Sequence, residues 1–129
     1  MARRIARHRH ERAAQGWRTV EEQHDVTGVL RAAAGPLLLD CATLWLTNRG
    51  FVHAWAEELV LAEVDTLCAW LRQTPVSVAV VSNEVGQGVV PATELGRRFA
   101  DLQGFANQRL AAACTRVELL VAGIPLRIR

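Results

Sequence analysis

The run Val76-Ser77-Val78-Ala79-Val80-Val81 is apolar at nearly every position, and Leu37-Leu38-Leu39-Asp40 repeats the habit upstream. Continuous rather than alternating hydrophobicity marks strands buried on both faces, which is how parallel sheets are built. Parallel strands need a crossover, and a 3.6-residue apolar pattern lies between the two runs. Ala56, Val60, Val64, Leu67 and Leu71 fall on one face of a helix predicted over residues 52–72, with Glu57, Glu58 and Asp65 on the other. A second helix is predicted over residues 91–116, interrupted near Gly104, with Phe99, Leu102, Ala106, Leu110 and Ala113 inside. Residues 117–121 read as a third buried strand, Gly123-Ile124-Pro125 as a turn and residues 126–128 as a last strand. Strands alternating with helices of this length give an α/β fold with a mostly parallel sheet and right-handed crossovers.

The front of the chain differs in character. Residues 2–14 have helix-forming composition with Ile5 as the one large apolar residue, Trp17-Arg18-Thr19-Val20 reads as a short strand, and residues 25–34 as a helix stopped by Gly35-Pro36. No repeat or linker divides the 129 residues, so one domain is expected. Half the residues are hydrophobic and 22% are charged, which excludes disorder. No apolar run is long enough for a membrane span, and arginine stands where a secretory signal would be apolar. Cys41, Cys68 and Cys114 are widely spaced and form no CxxC pair, the pattern of reduced thiols in the cytoplasm rather than of a zinc site.

Charge is distributed unevenly. The net charge is only +2, yet all 15 basic residues are arginine, and six of them precede residue 19 against one acid, Glu11. With no lysine, the chain has no Schiff-base lysine and no phosphate-loop lysine. In Arg4-Ile5-Ala6-Arg7-His8-Arg9-His10-Glu11-Arg12, guanidiniums surround an imidazole. Their field keeps His8 neutral and nucleophilic, and the same arginines can hold a phosphate by paired hydrogen bonds. Those are the needs of a histidine that attacks a nucleotide α-phosphate. An exposed Arg/His helix face has the same composition. A metal held by His8 and His10 is disfavoured, because positions two apart face different ways on a helix.

Ligands of parallel sheets bind beyond the carboxyl ends of the strands. Asp40 closes the first apolar run, where a magnesium or nucleotide ligand is often placed, although strands also end in Asp for turn reasons. Asn83-Glu84-Val85-Gly86-Gln87-Gly88 follows the second run, and its glycines allow close backbone approach. The loop lacks the third glycine of a dinucleotide fingerprint and is not a Walker A sequence. Trp45, Trp55 and Trp70 read as core or interface, Cys41 as a small buried residue, and His24 and His53 as surface residues without supporting neighbours. Asn107-Gln108-Arg109 is a polar triplet that either reaches the site or caps a contact.

In this order the pieces resemble the bifunctional adenosylcobinamide kinase / adenosylcobinamide-phosphate guanylyltransferases of cobalamin biosynthesis. The resemblance rests on Arg4-Ile5-x-x-His8-Arg9, Trp17-Arg18-Thr19-Val20-Glu21 and Leu37-Leu38-Leu39-Asp40-Cys41-Ala42-Thr43 with Asn48. It continues through Val81-Ser82-Asn83-Glu84-Val85-Gly86-Gln87-Gly88-Val89-Val90-Pro91, Phe99-x-Asp101, Asn107-Gln108-Arg109-Leu110-Ala111-Ala112-Ala113 and Val121-Ala122-Gly123-Ile124-Pro125-Leu126. It covers essentially the whole chain. It implies a cytoplasmic transferase with a RecA-like P-loop NTPase fold, a homo-oligomer and usually a trimer. Such an enzyme phosphorylates adenosylcobinamide with ATP or GTP, then transfers GMP from GTP through a guanylylated histidine, with Mg2+ as the metal. By resemblance His8 is that histidine. Arg9, His10, Glu11, Arg12, Glu21 and Asp40 are nucleotide contacts, Asp40 also a magnesium candidate. Asn83, Glu84, Asn107 and Arg109 are supporting candidates.

Two departures shape the expectation. The usual Arg-Pro pair is Arg12-Ala13 here, with one residue more before Trp17. The family's opening strand, phosphate loop and helix have no counterpart, and Met1-Ala2-Arg3-Arg4-Ile5 aligns with an internal segment. The chain is therefore expected to be N-terminally truncated, missing the first βα unit with its Walker A loop, and impaired in turnover. The alternatives are an inactive structural remnant of that enzyme and an arginine-rich phosphate- or nucleic-acid-binding module. The second is disfavoured by the lack of aromatics among the arginines and by balanced charge elsewhere.

Overall fold

A computed structural model describes residues 10–129. Residues 10–14 are helical and end where Gln15 and Trp17 N–H both donate to the Arg12 carbonyl, with Gly16 in the left-handed region at φ 80°. There follow α1 (Val26–Arg31), β1 (Leu37–Asp40), α2 (Ala42–Val52), α3 (Glu57–Leu71), β2 (Val78–Val81), α4 (Glu94–Ala113), β3 (Glu118–Val121) and β4 (Ile124–Arg127). The α/β class and the parallel pair are as the apolar runs predict. β1 and β2 run parallel with Leu37 opposite Val78 and Asp40 opposite Val81, so both carboxyl ends lie at one edge.

The core is made by helices. Val60, Leu61, Val64, Leu67 and Cys68 of α3 meet Leu102, Ala106 and Leu110 of α4, and Trp45 and Leu46 of α2 join them. Burying one such leucine or valine side chain stabilises by about 1.5–3 kcal/mol, so this helix packing carries most of the hydrophobic stabilisation. α4 runs unbroken through Gly104, contrary to the expected interruption. Buried Leu102, Gln103 and Ala106 anchor it on both sides of that glycine, and Thr93 Oγ1 caps its start by accepting from Gly96 N–H.

Several sequence expectations are corrected. The helix over residues 52–72 is the second half of a helix pair. α2 ends in a Schellman arrangement, with Trp55 N–H donating to the Gly50 carbonyl (2.7 Å) and Ala54 N–H to the Phe51 carbonyl (3.4 Å). Ala54 and Trp55 hold φ of 48° and 60°, and the Trp55 ring lies so close to Gly50 that a Cβ there would sit 2.5 Å from it. The usual sequence mark of such a stop, a glycine at the left-handed position, is replaced by Ala54, and so the break is invisible in the pattern. Ala56, expected on the inner face, is instead the exposed N-cap of α3.

The third strand does not enter the parallel sheet. β3 pairs antiparallel with β4 across a two-residue turn at Ala122 and Gly123, with φ of 52° and 79° as a type I′ turn requires. Pro125, expected in the turn, lies in β4 opposite Leu120, and the hairpin is largely exposed.

The parallel pair is buried on one face only. Leu37, Leu39 and Val80 pack on the helices, while Leu38 and Val81 are 41% and 40% exposed. Residues 17–20 are irregular rather than a strand and join neither sheet of the described residues. Among the described residues no helix is long and apolar enough to cross a membrane.

Candidate functional site

The register of β1 and β2 brings two chain reversals together at the carboxyl edge. Asp40 is half-exposed there, and its Oδ2 accepts from Arg12 Nη2 at 2.9 Å. That ion pair joins Arg12 to the sheet across 28 residues of sequence. In the first turn of α2, buried Thr43 accepts the Asn83 N–H on its Oγ1 at 2.9 Å, tying the end of β1 to the loop after β2.

Asn107 of α4 fixes that loop from the other side. Its Nδ2 donates to the Asn83 carbonyl (3.1 Å) and to Glu84 Oε1 (2.8 Å). Its Oδ1 accepts from Ser82 Oγ (2.6 Å) and from Gln103 Nε2 (2.9 Å), and Gln103 Nε2 also donates to Ser82 Oγ. Gln103 is fully buried, and its Oε1 has no partner among the described residues. A fully buried amide one turn before Asn107 has one use visible here, to hold the Asn107 carbonyl so that its amide faces Glu84. Both side chains have to sit this way because α4 lays its inner face across the end of β2.

Asn83, Glu84 and Asn107 therefore form one cluster, while Arg109 does not join it. Arg109 Nη1 donates to the Leu61 carbonyl and to Asp65 Oδ2 (2.8 Å), bracing α4 against α3. His10 and Glu11 are exposed on the helical residues 10–14, and Glu21 is exposed in the irregular segment that follows. His8 and Arg9 lie outside the described residues, as do Arg4 and Arg7. The loop from Asn83 onward is exposed, and open space surrounds Gly86 and Gly88.

The loop before α1 is held by its own acids. Glu22 Oε1 accepts from His24 N–H and Asp25 N–H, which hold its carboxyl below the ordinary range. Asp25 caps α1 by accepting from Gly28 N–H.

Sequence reasoning passed over Gln103, although its spacing of four from Asn107 on an apolar face is a readable signal. His53 is also corrected: it is not an isolated surface residue. Its Nε2 lies 2.7 Å from Glu63 Oε1 and 3.1 Å from Arg49 Nη2, and Arg49 grips both Glu63 oxygens. Burial raises the Glu63 carboxyl, but hydrogen bonds and charge from Arg49 and His53 outweigh it and leave the group below its ordinary value. Trp45 is core as expected, and Trp55 and Trp70 pack against it. Cys41 is only half-buried; burial raises the Cys68 and Cys114 thiols, and all three cysteines are free.

Comparison with known proteins adds lineage to this geometry. The profile of the family described as "Cobinamide kinase / cobinamide phosphate guanyltransferase" matches residues 1–128. The chain is 42% identical over 132 residues to the bifunctional adenosylcobalamin biosynthesis protein CobP of Pseudomonas aeruginosa, with all of this chain and 75% of that protein covered. It is 38% identical over 143 residues to the bifunctional adenosylcobalamin biosynthesis protein CobU of Escherichia coli, covering 78% of it. The protein of the same name from Salmonella typhimurium is 37% identical over 143 residues, again with 78% covered.

Proposed function

The chain belongs to the cobinamide kinase / cobinamide phosphate guanyltransferase family, a family of transferases, and from that premise we propose that its strand-end site binds GTP and passes its GMP through His8 to cobinamide phosphate. The observation that carries this reading is the Arg12–Asp40 ion pair, which sets Arg12, four residues after His8 in the sequence, at the carboxyl end of β1. That is where an α/β sheet presents a nucleotide.

In the proposed reaction an imidazole nitrogen of His8 attacks the α-phosphorus of GTP. The N–P bond forms as the P–O bond to the leaving pyrophosphate breaks. A phosphate oxygen of cobinamide phosphate then attacks the same phosphorus, and the N–P bond breaks to return His8. Arg9 and Arg12 hold phosphate oxygens bidentately, and His10, Glu11 and Glu21 border the nucleotide. Asn107 holds one oxygen of Glu84, while Arg109 acts at a distance as an α3–α4 brace.

Magnesium brought with the nucleotide would supply neutralisation of the phosphate charge. Such an ion is held mainly by phosphates and water with one carboxylate. Asp40, whose Oδ2 accepts from Arg12, is the carboxylate that would hold it. The kinase step with ATP or GTP calls for a phosphate-loop lysine, and these 129 residues contain none. Turnover of the chain by itself is therefore proposed to be low. A RecA-like P-loop architecture, a homotrimer and a cytoplasmic setting complete the proposal, the last in keeping with three free cysteines. The match over residues 1–128 favours neither a nucleic-acid-binding module nor an inactive remnant.

The test is titration with GTP and magnesium, followed by incubation with α-labelled GTP. Saturable GTP binding that Arg12→Ala and Asp40→Asn each weaken about tenfold supports the site, and no binding overturns it. Acid-labile label well below one per chain, abolished in His8→Ala, is expected. Near-stoichiometric label overturns the proposed impairment, and label that survives His8→Ala overturns the role of His8.

A further inference from the structure

The loop between β2 and α4 is pinned at both ends and bare between them. At its start Asn83 is held by Thr43 and Asn107, and Glu84 by Asn107. At its end Arg97 Nη1 donates to the Pro91 and Ala92 carbonyls, both at 3.0 Å. The stretch between them, Val85-Gly86-Gln87-Gly88-Val89-Val90, carries no charge. Val89 is 96% exposed and Val90 74%. Adjacent valines standing in water add nothing to the chain's own core, and apolar surface edged by polar groups is where a ligand gains by burial.

The glycines of the loop point the same way. Neither Gly86 nor Gly88 takes a positive φ, and a Cβ built at either meets nothing within 4 Å. A left-handed turn and tight packing, two usual reasons for glycine, are therefore absent at both. A third reason is close approach of a ligand to the backbone, and the open space at these two positions leaves room for it.

Position ties the loop to the proposed chemistry. Glu84 follows the carboxyl end of β2, and the chain length from Glu84 to Val89 keeps their backbones within about 18 Å of each other. Cobinamide phosphate carries its phosphate on a short amide-linked arm of the corrin ring, so a phosphate that reacts at the strand ends leaves the ring on their rim. In the segment that follows Arg12, the exposed Trp17 and Val20 stand among Arg18, Glu21 and Glu22. The loop after β2 is instead an uncharged stretch, suited to a macrocycle edged with methyl groups. We propose that residues 85–90 seat the corrin ring of cobinamide, with Val89 and Val90 against its methyl-bearing edge and Gly86 and Gly88 leaving the backbone bare for its close approach. The seat rests on the corrinoid reading given under Proposed function and adds the side of the site on which the ring lies.

The experiment is calorimetric titration of the full chain with dicyanocobinamide in the absence of nucleotide, and separately with GTP and magnesium. The double variant Val89→Ser/Val90→Ser is expected to weaken cobinamide binding about tenfold and to leave GTP binding unchanged. Gly88→Gln puts a side chain into the open space. It is expected to keep the parent's melting temperature and to weaken cobinamide binding about tenfold as well. Unchanged cobinamide affinity in the valine variant, or in a Gly88→Gln chain of parental melting temperature, overturns the seat. So does an equal loss of GTP affinity, which gives the loop to the nucleotide. A smaller sedimenting mass of the valine variant also overturns it, since the valines then join copies of this chain. A lowered melting temperature of Gly88→Gln leaves the decision to the valine variant, whose altered side chains lie in water. Cobinamide that fails to bind a chain that still binds GTP overturns the seat and leaves the guanylyl half standing; failure of GTP to bind is the separate failure of that half.

Discussion

Glu63 shows how single residues are tuned here. Its carboxylate is partly buried on α3, accepts from Arg49 through both oxygens and meets His53 Nε2. Because these partners leave the folded carboxyl below its ordinary value, the sign of the linkage follows. The stabilisation is complete at pH above the unfolded carboxylate value of about 4.3 and is lost as pH falls through the lower, folded value. Glu63→Gln is expected to lower stability at neutral pH by about 1–2 kcal/mol, because a charge-assisted fork becomes a neutral contact while part of the group stays in water. The gap between variant and parent closes toward the acid limit, which thermal melts from pH 7 downward measure. A gap that widens in acid contradicts the assignment. Gln103 is the other residue whose meaning is tertiary: on a bare helix it is a polar interruption, and against Ser82 and Asn107 it aims the amide that holds Glu84.

Among the elements, the α2–α3 junction decides how the helices stack. The chain stops α2 without glycine at the left-handed position and compensates by placing the Trp55 ring on Gly50. Phe51 and Phe99 meet that ring edge-on, at centroid distances of 5.1 and 6.1 Å, so the junction also touches α4. Gly50→Ala places a methyl where the ring lies. It is expected to destabilise by about 1–3 kcal/mol through overpacking, read as a lower denaturation midpoint together with a change in tryptophan fluorescence. An unchanged midpoint would show that the ring moves freely. The strand pair is set by a different constraint: its register places Asp40 beside Val81, and Thr43 accepting from Asn83 N–H locks the two ends.

At the scale of the whole molecule, stability is uneven. α3 and α4 share the buried residues, whereas β3 and β4 expose Leu120, Ile124 and Leu126. Amide hydrogens of the α3–α4 core are expected to exchange slowest, by global unfolding, and those of the hairpin orders of magnitude sooner. Hairpin protection equal to that of the core, read by mass spectrometry, would mean that its face is covered in solution. Local pattern alone determined the α/β class, the two parallel strands, the inner faces of α3 and α4 and the grouping of Asp40, Asn83 and Glu84 at strand ends, because periodicity and burial are properties of neighbouring residues. The family was legible too, since its motifs are contiguous. What a sequence pattern does not carry is which side chains from distant segments meet. The Arg12–Asp40 pair, the Gln103–Asn107–Glu84 chain and the placement of Arg109 on α3 were decided by tertiary structure. So were the hairpin that leaves the parallel sheet and the strand face left open. Each depends on the angle at which one element crosses another, and that angle is fixed by packing of the whole core rather than by any local run of residues.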